Sequence, residues 1–184
     1  GSLQKPIHAT VAYGYEDARD LAAVFQGEAT GYTYGRQVNP TVEALGEKIS
    51  LLELGSNTVC FSTGMAAIGT TLFSLLREGD HLISSSYLFG NTNSLLNSFT
   101  AHGIDVSFVD ATDANKVREA VTARTKAVFV ETIANPRTQI SSLAEIGRIC
   151  KELGLVYIVD NTMTSPYLFQ PTLVGASLSI NSLT

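Results

Sequence analysis

V-Y-I-V-D-N-T, the segment from Val156 to Thr162, is a near-continuous apolar run that ends in an acidic residue and turn-forming residues. Such a run predicts a buried β-strand. From about Asn57 onward, short β-branched runs of this kind alternate with segments of helical periodicity. This alternation is typical of βαβ units, so we predict an α/β fold with a mostly parallel sheet and helices on both of its faces.

The predicted elements follow one another along the chain. The predicted strands are Thr58–Phe61, Leu82–Ser84, Val106–Val109, Ala127–Glu131, Leu155–Asp160 and Leu178–Ile180. The predicted helices lie around Met65–Leu76, Thr92–Ala101, Asn115–Val121 and Leu143–Leu153. The last helix is well delimited, because Ser142 and Glu145 have the spacing of a capping box and Gly154 supplies a C-terminal stop.

The N-terminal region, residues 1–43, differs from the remainder, residues 44–184. It is rich in Gly, Tyr, Thr and Pro and lacks helical or strand periodicity, as in the stretch G-E-A-T-G-Y-T-Y-G-R-Q-V-N-P-T. By itself such a segment cannot bury enough surface to offset the entropy lost on ordering. We therefore predict an extended N-terminal arm, residues 1–43, that packs on a neighbouring subunit.

The composition excludes several classes of protein. A net charge of −5 without a basic run argues against binding to nucleic acid or to an anionic membrane, and no apolar stretch is long enough to span a bilayer. Cys60 and Cys150 do not suggest a disulfide framework, so we expect buried thiols in a cytoplasmic protein. His8, His81 and His102 are isolated in sequence, so we predict no metal site and interpret them as surface or turn residues.

The junctions between strands and helices are the candidate functional positions, because ligands of doubly wound sheets bind beyond the carboxyl ends of the strands. The stretch S-T-G-M, Ser62 to Met65, opens an apolar helix with small residues. Free N–H groups at such a helix start favour an anion, for example a phosphate. The alternative is a capped, buried helix that binds no ligand.

Three further junctions carry candidate residues. Asp160 is costly to bury without a partner, so it either caps a turn or faces a cationic group such as a protonated pyridine nitrogen. Glu131 and Asn135 lie in E-T-I-A-N-P at another strand end, where Pro136 stiffens the turn. Phe89 precedes a glycine at a helix start, where its ring is either part of the core or a platform for a flat ligand.

Motifs at these junctions and in the arm occur in one order: Y-G-R-Q-V-N-P-T, S-T-G-M-A-A, F-G-N-T, E-T-I-A-N-P, V-D-N-T and S-L-T. From Pro6 to Thr184 the chain thereby resembles the Cys/Met-metabolism family of fold-type I pyridoxal-phosphate enzymes. That family includes cystathionine synthases and lyases, methionine γ-lyase and O-acetylhomoserine sulfhydrylase. Its Ser-x-Thr motif is followed at once by the lysine that carries the cofactor as a Schiff base, so we expect that lysine directly after Thr184. We also expect the rest of the large domain and a small C-terminal domain to lie outside this sequence.

The resemblance implies pyridoxal 5′-phosphate as cofactor and assigns residues to it by motif. The assigned residues are Tyr34, Arg36, Thr63, Gly64, Met65, Phe89, Asn135, Asp160, Thr162, Ser182 and Thr184. Those expected at the phosphate from this chain are Thr63, Gly64, Met65, Ser182 and Thr184.

Individual roles also follow from the resemblance. Asp160 would pair with the ring nitrogen, Phe89 would stack on the ring, and Asn135 would lie near the 3′ oxygen. Tyr34 and Arg36 would reach the phosphate of the neighbouring subunit, which gives the arm its purpose. The catalytic assignments are Asp160, Phe89 and Tyr34, together with the expected lysine.

Departures from the family pattern bear on the reaction. Phe89 stands where the family usually has Tyr, so stacking persists but a phenol is lost. Asn91 stands where methionine γ-lyases have Cys, which argues against a methionine lyase. The arm's R-Q-V-N-P-T is similar to the O-acylhomoserine sulfhydrylases rather than to the R-S-G-N-P-T form of cystathionine enzymes.

The resemblance therefore favours a transferase of the O-acetylhomoserine sulfhydrylase type, which replaces the γ-acyloxy group of an activated homoserine with sulfur and gives homocysteine for methionine biosynthesis. Its partners would be a small amino-acid substrate, a sulfur donor and further copies of itself, as an active dimer or a tetramer of two dimers. The alternatives are a β- or γ-eliminating lyase acting on cystathionine or methionine, and a non-catalytic fragment if the chain ends at Thr184.

Overall fold

The computed structural model describes residues 3–184, which group into two units. The first unit comprises the residues up to 51 together with residues 55–60, and the second comprises residues 52–54 and 61–184. Residues 1 and 2, which begin the predicted arm, lie outside the described residues. The sequence predicted a boundary between residues 43 and 44, at the end of an arm that packs on a neighbouring subunit. This boundary and the packing of the arm stay predictions.

Two helices belong to the N-terminal part of the chain, where none was predicted. Helix α1 (Ala18–Phe25) begins at Asp17, whose carboxylate accepts the N–H of Arg19 as an N-cap. Helix α2 (Pro40–Glu53) begins with a proline, whose fixed φ angle suits the first helical position. The sequence showed no helical periodicity in the arm, whereas α1 lies inside residues 1–43 and α2 begins there.

The strand predicted at Thr58–Phe61 is also wrong. The hydroxyl of Thr58 hydrogen-bonds that of Ser50 over 2.8 Å, and the thiol of Cys60 donates to the carbonyl of Val42 at 3.8 Å, so this segment packs along α2. A β-branched run forms a strand only where a neighbouring strand satisfies its backbone groups. None of the strands of the described sheet pairs with this segment.

The second unit is built on a sheet of five parallel strands. These strands are β1 (His81–Ser85), β2 (Asp105–Val109), β3 (Thr125–Glu131), β4 (Val156–Asp160) and β5 (Leu178–Ile180). The helices of this unit are α3 (Gly64–Leu75), α4 (Gly90–Ser98), α5 (Ala114–Glu119), α6 (Leu143–Leu153) and α7 (Ser165–Leu168), with 3₁₀ turns at Phe99–His102 and Pro171–Val174. The strand order is β2-β1-β3-β4-β5, and the predicted α/β fold class is confirmed.

The sheet is buried on both faces, which explains its near-continuous apolar strands. In β3, Ala127 and Phe129 belong to one core cluster, whereas Val128 and Val130 belong to the other. Side chains alternate between the faces of a strand, so a strand covered on both sides is apolar at every position. The apolar run that begins at Val156 has the same cause, because its central residues are buried and divided between the same two clusters.

The two ends of α6 differ in how well the sequence predicted them. The capping box is not formed: the hydroxyl of Ser142 donates to the carboxylate of Glu145 at 3.1 Å and caps no backbone N–H. The N–H of Ser142 already donates to the carbonyl of Ala111 at 2.8 Å, so it is not available to Glu145. The stop at Gly154 is confirmed, since this glycine has a left-handed φ of 66° and its N–H donates to the carbonyl of Cys150.

His81 is buried in β1, so its interpretation as a surface or turn residue is wrong. Its Nδ1 lies 2.8 Å from the hydroxyl of Thr125, and its Nε2 lies 2.9 Å from the hydroxyl of Ser107. Hydroxyl groups on the two flanking strands thus satisfy both ring nitrogens. Burial lowers the pKa of His81, so the neutral imidazole is favoured in the folded chain.

Cysteines, metals and membrane spans can be addressed for the described part of the chain. Cys60 and Cys150 are both free thiols, but only Cys150 is fully buried. Within residues 3–184, no three His, Cys, Asp or Glu side chains come together in a way that could hold a metal ion. None of the helices in that range has the length and apolar character needed to cross a bilayer.

Candidate active site

The carboxyl ends of β3 and β4 bring two acidic side chains side by side. Glu131 ends β3, Asp160 ends β4, and the two residues are paired in the sheet register. The carboxyl ends of parallel strands meet at one edge of the sheet, where ligands of this fold class bind. The predicted site residues of the second unit collect at this edge.

Asp160 is oriented by Thr162, two residues further along the chain. Its Oδ1 accepts the backbone N–H of Thr162 at 3.0 Å and the Thr162 hydroxyl at 2.6 Å. No group among residues 3–184 donates a hydrogen bond to the other oxygen, Oδ2. Burial raises the pKa of Asp160, while the bonds from Thr162 lower it. A cationic ligand at Oδ2 would therefore stabilise the charged form of this carboxylate.

Thr162 also holds the segment that follows β5. Its hydroxyl accepts the backbone N–H of Ser182 at 2.9 Å, and the hydroxyls of Ser182 and Thr184 lie 3.0 Å apart. The turn after β4 and the segment after β5 are thereby joined through one side chain. The structure thus brings together Asp160, Thr162, Ser182 and Thr184, as the motif assignments require.

The start of α3 lies directly against this segment. A Cβ atom added at Gly64 would lie only 2.8 Å from Cβ of Ser182, so the helix start can approach this closely because residue 64 is a glycine. Thr63 caps the helix, with its hydroxyl accepting the N–H of Ala66 at 3.0 Å. The N–H groups of Gly64 and Met65 have no acceptor within the described residues. Two unpaired amides therefore lie beside the Ser182 segment, an arrangement that favours an anion.

Glu131 joins two other predicted residues to this edge. Its Oε1 accepts the backbone N–H of Phe89 at 2.7 Å, and its Oε2 accepts the backbone N–H of Asn135 at 3.3 Å. Phe89 immediately precedes α4 and is 42% exposed, which leaves its ring accessible to a ligand. The sequence identified Glu131 only as a residue at a strand end, since no spacing rule relates it to the loop that carries Phe89.

A second buried network was missed altogether. Glu53, the last residue of α2, belongs to the second unit, and its Oε1 accepts the side-chain amides of Asn161 at 3.3 Å and Asn181 at 2.5 Å. Asn161 follows Asp160 at the end of β4, and Asn181 follows β5, so one carboxylate fixes both strand ends. An Asn directly follows an apolar strand at both positions, and this repetition could have indicated Asn161 and Asn181 from the sequence. It does not indicate Glu53 as their partner.

Tyr34 and Arg36 lie in the first unit. The guanidinium carbon of Arg36 is 4.8 Å from the centre of the Tyr34 ring, which is a cation–π contact. An antiparallel bridge pairs Tyr34 with Ala12, and the N–H of Gly35 donates to the carbonyl of Val11 at 2.6 Å. The two residues are therefore adjacent on an ordered turn, and their contact with a neighbouring subunit stays a prediction.

The groups at the sheet edge fit pyridoxal phosphate. The free amides of Gly64 and Met65 suit a phosphate, and the accessible ring of Phe89 suits a flat aromatic ligand. The Oδ2 of Asp160 suits a protonated ring nitrogen. These residues therefore fit a ligand that carries a phosphate group and a cationic aromatic ring.

Comparison with known proteins identifies the family of the chain. Residues 1–184 match the family described as Cys/Met metabolism PLP-dependent enzyme. The whole chain is 40% identical to the cystathionine gamma-synthase/O-acetylhomoserine (thiol)-lyase of Bacillus subtilis and covers 47% of that protein. It is also 36% identical to the L-methionine gamma-lyase of Fusobacterium nucleatum subsp. polymorphum, again over 47% of the relative.

A solved structure agrees with these relatives. It is a Campylobacter jejuni protein provisionally assigned as an O-acetylhomoserine (thiol)-lyase, and it contains a pyridoxyl-lysine phosphate. The two structures superpose with a TM-score of 0.91 at 32% identity, covering 99% of this chain and 45% of that protein. The chain spans about half the length of the curated relatives that it matches, for example 47% of the Bacillus subtilis and Fusobacterium proteins. Because the family match extends along all of its residues, this chain belongs to the Cys/Met metabolism family of pyridoxal-phosphate-dependent enzymes.

Proposed function

We propose that the full-length protein is a transferase of the O-acetylhomoserine sulfhydrylase type, which exchanges the γ-acyloxy group of an activated homoserine for sulfur and gives homocysteine. The observation that carries this proposal is Asn91. It is exposed in the first turn of α4, two residues after Phe89, in the position where methionine γ-lyases have a cysteine. A neutral amide there cannot supply the acid–base or nucleophilic chemistry of a thiol.

Two of the relatives support the same reaction class. The Bacillus subtilis and Campylobacter jejuni proteins both carry the name O-acetylhomoserine (thiol)-lyase. The first is also named a cystathionine gamma-synthase. We extend this reaction class to the present protein on the strength of Asn91 and of the arm motif R-Q-V-N-P-T.

The residues of the second unit have distinct tasks in this proposal. When bound, pyridoxal phosphate supplies an electron sink for the electrons left behind when a substrate Cα proton departs. Asp160 presents the negative charge of Oδ2 to the ring nitrogen and holds a proton there, while Thr162 fixes Oδ1. Phe89 offers a ring face, and Asn135 lies near the 3′ oxygen.

The phosphate is bound by groups from two segments. The amides of Gly64 and Met65 point to it from the helix start, where the partial positive charge of α3 adds to the attraction. The hydroxyls of Ser182 and Thr184 complete the set, and Thr63 shapes the helix start by capping it. The lysine that the family pattern puts after Thr184 would anchor the cofactor and move protons between substrate carbons.

The first unit supplies the remaining part of each site in this proposal. Tyr34 and Arg36 reach the phosphate of the neighbouring subunit, so the enzyme is a homo-oligomer built from dimers. The stacking of Arg36 on Tyr34 supports this role, because it holds the guanidinium in one orientation for a bidentate contact with phosphate. We place the enzyme in the cytoplasm, with a small amino acid and a sulfur donor as its substrates.

A β- or γ-eliminating lyase is the second candidate. The 36% identity to a Fusobacterium methionine gamma-lyase supports it, since that similarity extends over the whole chain. Both candidates share the cofactor site described above. They differ in whether sulfur enters or leaves the substrate.

The deciding experiment is an assay of the full-length protein with both kinds of substrate. O-acetylhomoserine with sulfide should yield homocysteine at a rate well above that at which methionine or cystathionine yields an oxo acid. Asn91→Cys is the matched variant, and it should increase elimination relative to replacement. If elimination from methionine is the faster reaction of the unaltered protein, the lyase assignment takes the place of this one.

A further inference from the structure

Glu131 occupies an unusual position for an acidic residue. It is 5% exposed at the carboxyl end of β3, next to the carboxylate of Asp160 in the sheet register. No Lys, Arg or His is within salt-bridge distance of it in the described part of the chain. A buried carboxylate without a cation must be stabilised by hydrogen bonds.

These hydrogen bonds come from two separate loops. Oε1 accepts the N–H of Phe89, which follows β1 in the fold, and Oε2 accepts the N–H of Asn135, which follows β3 itself. The two distances are 2.7 Å and 3.3 Å. One carboxylate therefore fixes the backbones of the two loops that carry the stacking aromatic ring and the amide assigned to the 3′ oxygen.

The protonation state of Glu131 decides whether both bonds can exist. A carboxylate accepts at both oxygens, whereas a protonated carboxyl group turns one of them into a donor. The pKa of Glu131 is raised to about 7, because burial, helped by the charge of Asp160, outweighs the lowering by the backbone N–H groups of Phe89 and Asn135. Of the ionisable side chains described, Asp160 is the one whose charge acts on Glu131. Uptake of a proton near neutral pH would remove one of the two bonds.

We infer that Glu131 is a positioning residue, a carboxylate clamp that aligns the loops of Phe89 and Asn135 with the cofactor ring and that loosens when it takes up a proton. This inference rests on the cofactor assignments of the proposed function for its purpose. The clamp itself is a property of the chain without cofactor. It can therefore be tested apart from the reaction.

The test is amide hydrogen exchange of the cofactor-free, full-length protein, with residue-level protection factors for Phe89 and Asn135 at pH values above and below about 7. In the unaltered protein, protection of at least one of these amides should fall as the pH is lowered. Glu131→Gln keeps a single acceptor oxygen. At high pH, the protection factor of at least one of the two amides should therefore be at least about tenfold lower in this variant than in the unaltered protein. The protection factors of the variant should not change further with pH.

Ser141→Ala is the matched control. Ser141 donates to the backbone carbonyl of Glu131 at 2.9 Å, so its loss disturbs the same residue but leaves the carboxylate intact. This variant should retain the pH-dependent protection of the unaltered protein. Equal loss of protection in Ser141→Ala and Glu131→Gln would overturn the clamp and leave only a general structural role.

A second measurement links the clamp to the cofactor. The circular dichroism of bound pyridoxal phosphate reports how the ring is held, and it should change with pH in the unaltered protein but not in Glu131→Gln. Should Glu131→Gln fail to fold, the pH series on the unaltered protein still decides: protection that is flat across about 7 refutes the clamp. An enzyme that makes no homocysteine but shows the pH-dependent protection would refute the proposed function alone.

Discussion

The backbone N–H of Ser182 donates to the hydroxyl of Thr162 over 2.9 Å, which ties the segment after β5 to the turn after β4. The same hydroxyl donates to Oδ1 of Asp160 at 2.6 Å. Thr162 thus orients the carboxylate assigned to the ring nitrogen and also the segment whose hydroxyls are assigned to the phosphate. In the proposed cofactor site, both ends of the cofactor would therefore depend on the side chain of Thr162.

Replacing Thr162 with its isostere valine tests this dependence. Thr162→Val should weaken pyridoxal phosphate binding by about 10- to 100-fold, since a hydrogen bond to a charged group contributes ~1.5–3 kcal/mol. Thr162→Ser keeps the hydroxyl and should bind almost normally. Equilibrium titration of the cofactor-free, full-length protein measures both variants, and equal affinities for the two would contradict the role of the hydroxyl.

Two glycines of α3 make a matched pair for the close approach at the phosphate end. A methyl group at Gly64 would meet Ser182 at 2.8 Å, whereas one at Gly69 would meet Leu95 at an ordinary 3.7 Å. Gly64→Ala should therefore displace Ser182 and lower cofactor affinity. Gly69→Ala should leave binding unchanged and raise the free energy of unfolding by up to about 1 kcal/mol, because alanine favours the helix. Titration and urea denaturation of both variants check this, and similar behaviour of the two would rule out steric contact as the cause.

Asp110 forms the same local hydrogen bonds as Asp160 but is exposed, so comparing the two residues distinguishes the effect of local geometry from that of burial. Asp110, after β2, accepts from the N–H of Thr112 at 3.0 Å and from its hydroxyl at 2.6 Å, the same arrangement that Asp160 forms with Thr162. The bonds from Thr112 lower the pKa of the exposed Asp110, whereas burial raises that of Asp160. The same local motif thus has a raised pKa at Asp160, where the sheet edge buries it, and a lowered pKa at Asp110, where it is exposed.

Asp160→Asn should consequently lower turnover by about 10²–10³, the usual loss when an oriented electrostatic partner is removed from a reacting group. Asp110→Asn makes the same chemical change in the same local geometry and should leave turnover unchanged. Steady-state assays of both variants with O-acetylhomoserine and sulfide provide the comparison. An active Asp160→Asn enzyme would return Asp160 to a turn-capping role.

The sequence predicted those features that depend on burial and local spacing. The strand at Val156–Asp160 was located to within one residue because full burial on both faces makes its pattern continuous. The run at Thr58–Phe61 is also made of β-branched and apolar residues, but no strand of the described sheet pairs with it, and pairing is a long-range condition that composition does not encode. Helix α2 was not predicted, because its apolar residues do not form a clear stripe on one side of the helix. Several of them, including Val42 and Leu45, are exposed in this chain. The bonds of Glu131 were not predictable, since they depend on which loops return to the end of β3.

The buried His81 predicts how stability responds to pH. Burial and the nearby Arg124 lower its pKa, and the opposing effect of Asp105 is smaller than that of burial. Between that lowered value and about 6.5 the unfolded chain binds more protons than the folded chain, so the free energy of unfolding should fall as the pH decreases through this window. His81→Gln should reduce this slope, whereas His8→Gln, at an exposed position, should not. Urea denaturation across the pH range measures the slopes, and identical slopes in all three proteins would contradict the prediction.

The shared site between subunits gives the most demanding prediction. If Arg36 binds the phosphate of the neighbouring subunit, each site needs an intact second unit from one chain and an intact Arg36 from the other. Arg36→Ala and Asp160→Ala homodimers should then both be nearly inactive, because every site in them is damaged. When the two proteins are unfolded, mixed in equal amounts and refolded, a mixed dimer contains one site assembled only from intact parts.

Activity should therefore return on mixing. About half of the dimers are mixed and each has one good site of two, so roughly a quarter of the original activity is the limit for random two-fold pairing. Asp160→Ala mixed with Thr162→Val is the matched control, since both changes lie in the second unit and each site of the mixed dimer carries one of them. That mixture should not exceed the average of its parents. Mixed Arg36→Ala and Asp160→Ala dimers that are confirmed by mass but stay inactive would show that Arg36 acts within its own chain.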